Sequence, residues 1–403
     1  KGVRFVERIE GASPGGPGAL DIVLEAPSLI GPFRLQVFDP VPGRDFRAQI
    51  GKLEKGRARL KGILEDKSLG SRVTLDGWFG VPGASGRPVF DGAATFNGNP
   101  VLRGKEGTQL PFQGTARVIA HLDQAIADPI NLTLGQGEAA FQLAGQGFLD
   151  LKGARPHLQL KLGAKRYDAQ SHFATDDAAS RAREPASGLL AAFGTLEAPF
   201  DLALDLAVGA VQVPGAVLQD VAFKGALRPG GAVVDLLAAE LPGGTKAAFR
   251  RAGTAGALPL DGWLEIDAAE LQTLVGWIRG ADGTAHLPAS AKLAARLAGD
   301  AGGLRIPEIR IDSSAGVLGG SGELLPAETG RRALPKLTLD LAAERFDARV
   351  LAALDPLRPI PGVELATRLS VKRLALDGQE LGGLQVALAL GMASGSVLAG
   401  KLS

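Results

Sequence analysis

The sequence predicts a mostly β protein, in which a long, curved antiparallel β-sheet is accompanied by a few short helices. Three features of the sequence support this fold class. Short segments of alternating apolar and polar residues fill most of the chain, glycine and proline separate these segments, and several segments recur further along the chain. Glycine accounts for 56 of the 403 residues, about twice its usual share, which favours many tight turns.

The clearest recurrence joins residues 156–169 to residues 335–348, 179 positions later. In each copy three leucines alternate with polar residues: Leu158, Leu160 and Leu162 in the first, and Leu337, Leu339 and Leu341 in the second. A period of two places alternate side chains on one face of a strand. Both segments are therefore predicted to be strands with one apolar and one wet face.

A second recurrence, at a spacing of 163 residues, joins the segment that starts at Phe200 to the one that starts at Val363. Its apolar positions are Phe200, Leu202, Leu204 and Leu206 in the first copy, and Val363, Leu365, Leu369 and Val371 in the second. Further upstream, Ala116 matches Ala291 and Leu143 matches Leu318 at a spacing of 175. The change from 175 to 179 predicts four extra residues in the loop between Leu325 and Leu334.

These recurrences predict three divisions of the chain. Residues 1–111 form a diverged leading repeat, residues 112–283 form the first copy, and residues 284–403 form a truncated second copy. The chain starts and stops in strand-like sequence, which predicts an excerpt of a longer protein.

Three segments have helical periodicity: Asp176 to Phe193, Asp267 to Trp277, and Asp347 to Leu354. The last two start at an aspartate that is expected to cap the helix. Their apolar surface is far too small to cover the predicted sheet. The apolar face must therefore pack on another sheet, close on itself, or bind an apolar ligand.

Chemistry-bearing motifs are absent from the sequence. There is no cysteine, the net charge is +1, and the four histidines lack the spacing of a metal site. No nucleophile elbow or dinucleotide loop is present, and no long apolar run or signal peptide occurs. We therefore expect no catalytic residue, metal, cofactor or nucleic-acid partner, and no enzymatic activity.

The pattern of strands resembles that of the AsmA-like proteins of Gram-negative envelopes, which are similar to repeating β-groove, bridge-like lipid-transfer proteins. The motifs that carry the resemblance are Leu-Pro-Gly-Gly at 241–244, Gly-x-Gly-x-Leu at 145–149 and 320–324, and the aspartates before the short helices at 267 and 347. The resemblance implies a periplasmic protein, held in the inner membrane by a segment that this sequence lacks. It also implies that phospholipid acyl chains pass along the concave face between the inner and outer membranes.

Two functions follow from these observations. In the first, the fourteen apolar residues named above for the two recurrences line a hydrophobic groove that binds lipid. In the second, the same residues are the packed core of an inert β-solenoid or sandwich, a scaffold or adhesin-like envelope protein. Aromatic residues make up only 5% of the chain, which favours the groove because sandwich cores usually rely on larger rings.

Overall fold

The structure, a computed structural model, confirms the mostly β class, with 78% strand and 4% helix. It describes residues 3–10, 19–39, 43–67, 70–80, 89–99, 111–137, 140–153, 155–169, 200–228, 231–253, 260–279, 287–300, 303–326, 335–353, 364–376, 379–391 and 394–402.

Contacts divide the chain into two compact units. Unit 1 comprises residues 1–167 and 198–206, and unit 2 comprises residues 168–197 and 207–403. In each unit the described strands form an unclosed, curved sheet. The repeats at 1–111, 112–283 and 284–403 are divisions of the sequence and stay a prediction.

Unit 1 is a succession of antiparallel neighbours from β1 to β11, followed by the start of β12. The strands are β1 Val3–Glu10, β2 Ala19–Ala26, β3 Phe33–Asp39, β4 Arg44–Ile50, β5 Arg57–Asp66, β6 Ser71–Gly80, β7 Val89–Gly98, β8 Phe112–Ala120, β9 Gln124–Leu134, β10 Phe141–Asp150, β11 His157–Asp168 and β12 Asp201–Val213. Each strand from β1 to β10 pairs with the next strand in the sequence.

Most strands of unit 2 pair with the next strand in the sequence, and its described residues include two helices. The strands are β13 Ala216–Arg228, β14 Gly231–Leu241, β15 Thr245–Arg251, β16 Leu260–Ala268, β17 Ala291–Asp300, β18 Gly303–Ser313, β19 Gly316–Leu325, β20 Lys336–Asp347, β21 Glu364–Leu376, β22 Gln379–Leu381, β23 Leu384–Gly391 and β24 Ser394–Leu402. The helices are α1 Leu271–Arg279 and α2 Ala348–Ala353. Pairing is antiparallel from β13 to β20 and from β21 to β24.

The pairing of β20 with β21 is parallel, so the sheet is mixed rather than wholly antiparallel as predicted. Sixteen residues, 348–363, separate these two strands in the sequence, and a connection of this length permits parallel pairing. Glu364 N donates a hydrogen bond to the Pro335 carbonyl at 2.8 Å where the pair begins. In unit 1, Asp201 N donates to the Pro156 carbonyl at the same distance, so β12 starts beside β11 in the same way.

The strand registers correct part of the predicted repeat. Ala116, Ile130, Gly145 and Leu162 are successive partners across β8 to β11, and Ala295, Ile309, Gly320 and Leu341 are successive partners across β17 to β20. Ala116 therefore corresponds to Ala295, and its predicted match with Ala291 is wrong by four residues. The turn between β9 and β10 is four residues longer than the turn between β18 and β19. The predicted four-residue insertion between β19 and β20 offsets this difference, which restores the spacing of 179.

The glycines of the Gly-x-Gly-x-Leu motifs are required by the close approach of a neighbouring strand. A Cβ atom on Gly145 would lie 1.9 Å from the carbonyl oxygen of Lys161, and one on Gly320 would lie 2.0 Å from that of Asp340. Real Cβ contacts are far longer than this. In both copies of the motif, the first glycine thus lies where two consecutive strands approach each other unusually closely.

The helix predictions are confirmed in part. α2 follows Asp347 as predicted, and Asp347 Oδ1 accepts a hydrogen bond from Arg349 N at 2.9 Å. α1 begins at Leu271 instead of Asp267, because Asp267 belongs to β16 and its carboxylate pairs with Lys292 Nζ at 2.8 Å. The segment Asp176 to Phe193 lies outside the described residues.

We predict that Gly320→Ala lowers the free energy of unfolding by about 1–3 kcal/mol, because its Cβ would force β19 and β20 apart. Gly319→Ala is the matched control, since its nearest heavy atom would lie 4.0 Å from the new Cβ. Urea denaturation of both variants measures the difference. Equal midpoints would contradict the close approach at Gly320.

Candidate functional site

The predicted leucines of β11 lie on one face of unit 1. Leu158, Leu160 and Leu162 are opposite Leu149, Gly147 and Gly145 of β10. Leu162 is buried among Ala116, Ile130 and Leu143, while Leu158 and Leu160 are half-buried. The alternation therefore produces an apolar face, as the sequence predicted.

The four predicted positions around the start of β12 are half-buried in unit 1. Phe200 precedes the strand, and Leu202, Leu204 and Leu206 belong to it. Leu204 and Leu206 pack against the buried cluster that contains Leu162. They extend the same apolar face beyond β11.

The equivalent leucines of unit 2 adopt the same arrangement. Leu337, Leu339 and Leu341 are opposite Leu324, Gly322 and Gly320 on one side, and opposite Leu365, Thr367 and Leu369 on the other. Leu341 and Val371 are buried, and Leu337, Leu339, Leu365 and Leu369 are half-buried. Val363 lies outside the described residues.

The apolar face extends well beyond the predicted residues. One row of mutually paired positions crosses β1 to β11: Phe5, Leu24, Leu35, Ala48, Gly62, Leu75, Ala94, Ala116, Ile130, Gly145 and Leu162. A second row crosses β13 to β21: Phe223, Leu237, Phe249, Leu264, Ala295, Ile309, Gly320, Leu341 and Leu369. We call these the apolar rows of units 1 and 2. Sequence reasoning missed most of them because alanine and glycine occupy several positions.

Phenylalanine rings fill space above the glycines of the apolar faces. A Cβ on Gly77 of β6 would lie 2.8 Å from the Phe90 ring of β7, and one on Gly262 of β16 would lie 2.7 Å from the Phe249 ring of β15. Both rings are buried, Phe90 at 8% and Phe249 at 5% exposure. An aromatic side chain that covers a glycine on a neighbouring strand restores packing that the glycine lacks. Phe90 and Phe249 therefore contribute to the packing of the apolar face.

The opposite face of each sheet, which we call the wet face, carries exposed ion pairs between neighbouring strands. In unit 1, Arg117 pairs with Asp91 at 3.4 Å, and in unit 2, Arg250 pairs with Glu265 at 2.9 Å and Arg368 with Asp340 at 3.3 Å. Exposed pairs of this kind contribute little to stability because water screens them. Because these ion pairs lie on the face opposite the apolar row, they identify that face as the solvated one.

A charged cluster ends the apolar face of unit 1 at β3 to β5. Asp39 is opposite Arg44, which is opposite Asp66. Arg44 Nε donates to Asp66 Oδ2 at 2.8 Å, and both carboxylates are buried. Buried charged groups need charged partners, so these three side chains occupy the end of the face. The apolar surface of unit 1 lies between this cluster and the opposite edge of the sheet.

Within the described residues, no group of three or more histidine, cysteine, aspartate or glutamate side chains is placed to hold a metal ion. None of the helices found there has the length and hydrophobicity needed to cross a bilayer.

Comparison with protein-family models, curated proteins and solved structures finds no match to this chain. The resemblance to AsmA-like proteins therefore stays a prediction based on the sequence pattern.

We predict that Lys372→Ala raises the pKa of Glu344. Lys372 Nζ donates to Glu344 Oε1 at 2.6 Å, and this hydrogen bond lowers the pKa of that carboxyl from its ordinary value. Any stability from this pair is present above the pKa of Glu344 in the unfolded chain, and is lost as the pH falls through the lowered folded value. Carboxyl NMR titration measures the shift.

Lys292→Ala, which removes the partner of Asp267, is the control and should leave the Glu344 titration unchanged. Identical Glu344 titrations with and without Lys372 would contradict the ion pair.

Proposed function

We propose that this chain binds lipid, with acyl chains lying along the apolar faces of its units. The observation that carries the proposal is the pair of apolar rows, which cross consecutive strands while the other face of the same strands carries ion pairs. Two short helices are the only helices among the described residues. A hydrocarbon ligand is the kind of molecule that covers such a surface.

The dimensions and exposure of the apolar faces suit an acyl chain. Eleven strands about 4.8 Å apart give the row of unit 1 a length on the order of 50 Å. One leaflet of a bilayer core is about 15 Å thick, so a row of this length accommodates an extended acyl chain. Half-buried side chains such as Leu160, Leu339 and Leu365 retain apolar surface for contact with it. Each further Å² covered contributes about 25 cal/mol.

The proposed site selects for hydrocarbon and not for a head group. Head-group recognition needs clustered donors such as the guanidinium fork of arginine. Arg44, which lies at the end of the apolar face of unit 1, is already bonded to Asp66. The proposed ligands are therefore mixed membrane phospholipids.

The cellular setting of the proposal comes from the resemblance to AsmA-like proteins. It places the protein in the periplasm, anchored in the inner membrane by a segment outside this sequence. Phospholipid would then move between the inner and outer membranes without any catalytic step. No cofactor or nucleic acid takes part in the proposal.

A structural scaffold is the second candidate, and the packing around β20 and β21 favours it. Val371 is 2% exposed and Phe346 is 3% exposed, and both pack with Ala343 and Leu374 in one cluster. These side chains are covered without a ligand. A scaffold that uses the same face as a packed core is consistent with that cluster.

The lipid proposal predicts that the purified protein carries several phospholipid species of its host. Native mass spectrometry followed by lipid extraction measures the bound molecules. A single stoichiometric lipid would indicate a selective pocket instead. Delipidated protein that stays monodisperse and takes up no lipid would support the scaffold.

Leu339→Arg and Thr338→Arg distinguish an accessible apolar face from a packed core. Leu339 is half-buried on the apolar face, and Thr338 is exposed on the wet face one residue away. On an accessible face, Leu339→Arg should cost about 2–4 kcal/mol, as at a lipid-facing barrel position, because the long side chain can reach water. It should fold yet bind and transfer less lipid, while Thr338→Arg behaves as the unmodified protein.

In a packed core, the same Leu339→Arg change should cost more than about 4–5 kcal/mol and prevent folding. Failure to obtain folded Leu339→Arg, or normal lipid transfer by both variants, would reject the assignment of this face to lipid.

A further inference from the structure

One edge of unit 1 displays apolar side chains at the tips of its turns. The described turns at this edge comprise residues 27–32, 51–56, 121–123, 151–153 and 155–156, which follow β2, β4, β8 and β10. Each of the four turns exposes leucine or isoleucine: Leu29 at 87%, Ile30 at 59%, Leu53 at 51%, Leu122 at 78% and Leu151 at 45%. We call this the leucine edge.

The opposite edge of the same unit provides an internal comparison. Its described turn residues are Gly43, Lys67, Gly70, Asn99, Pro111, Gly135, Gln136, Gly137 and Ala140. None of these described residues is a large apolar side chain. Among the described turn residues of unit 1, the exposed leucines and isoleucine therefore lie at one edge.

Backbone hydrogen bonds hold the tips of the leucine edge in two pairs. Leu53 N donates to the Ile30 carbonyl at 3.0 Å, which continues the ladder of β3 and β4. Leu151 N donates to the Asp123 carbonyl at 2.9 Å, which continues the ladder of β9 and β10. The apolar tips are thus parts of the sheet with fixed positions.

The spacing of the two pairs favours a lipid surface over a protein partner. Turns at one edge are two strands apart, so the tips after β4 and β8 are separated by about 20 Å. A protein interface needs a contiguous buried centre. A bilayer accepts separate apolar side chains between its head groups, as it accepts the apolar side chains of interfacial helices.

The side chains around the tips have the chemistry of a membrane interface. Lys52 and Lys55 lie on either side of Leu53 and Glu54, and all four are exposed. Lys152 follows Leu151, and its ammonium pairs with Asp123 at 3.5 Å. Lysines at this depth attract anionic lipid and keep their ammonium groups in water. Behind the tips, the wet face exposes Trp78 at 51%, beneath the Arg59 guanidinium, where tryptophan commonly lies in membrane proteins.

We propose that the leucine edge docks on the surface of a bilayer that contains anionic lipid. This docking is independent of the lipid-carrying role, because the tips lie at turns and not among the residues of the apolar row. It orients the sheet of unit 1 with this edge toward the membrane.

The test is flotation of the full chain with vesicles of phosphatidylcholine and phosphatidylglycerol. The triple variant Leu53→Ser, Leu122→Ser, Leu151→Ser removes tips from both pairs of turns. We expect its vesicle affinity to fall by at least about tenfold. The matched variant Asn99→Ser, Gln136→Ser, Ala140→Ser alters the opposite edge and should bind as the unmodified protein.

A second measurement tests insertion at one position. Tryptophan fluorescence of Leu122→Trp should be quenched by vesicles with brominated acyl chains, relative to the unmodified chain. Gln136→Trp, on the opposite edge, should gain no such quenching. Equal quenching of both variants, or unchanged binding of the triple serine variant, would overturn the proposal.

Two further outcomes separate this proposal from its alternatives. If the triple serine variant changes only the sedimentation of the free protein, the edge is a contact between copies of the chain and the proposal fails. Leu339→Arg should keep full vesicle binding even if it stops lipid uptake. Loss of both activities in Leu339→Arg would show that docking depends on the apolar face and would also reject the proposal.

Discussion

The removal of one apolar face from water is the constraint on which the other features of this structure depend. Most strands place an apolar residue in the row of their unit, and each Å² removed from water contributes about 25 cal/mol. The ion pairs of the wet face contribute little because they are exposed. The stability of each sheet therefore comes mainly from side chains of neighbouring strands that cover one another.

That constraint explains where glycine and phenylalanine occur. At Gly145 and Gly320 a neighbouring carbonyl oxygen occupies the space of a Cβ, so a larger residue would open the sheet. At Gly262 the carbonyl oxygen of Arg250 and the ring of Phe249 share that space. Glycine thus permits close approach of strands, and phenylalanine restores the contact that glycine lacks. An apolar face built this way needs few aromatic residues.

The same physical facts explain which features the sequence could predict. The leucines of β11 and β20 were predictable because large apolar residues at alternate positions identify a face without further information. Ala48 and Gly62 were not, because a small residue in an apolar row has no sequence signal of its own. The match of Ala116 with Ala291 was wrong because a shift of four residues preserves a period of two. The parallel pairing of β20 with β21 was also missed, since alternation is the same in parallel and antiparallel pairs.

The apolar face and the leucine edge differ in how they tolerate water. Some side chains of the apolar face, such as Leu341 and Phe249, have apolar neighbours on adjoining strands and are covered without a ligand, whereas Phe5 and Leu237 are 48% and 49% exposed. Leu29 and Leu122 protrude at turns, where adjoining strands offer no such neighbours, and they remain 87% and 78% exposed. The face is therefore partly covered by its own side chains, whereas the edge keeps its apolar surface in water until another surface covers it. Binding of an acyl chain and docking of the edge are thus separate events with separate driving forces.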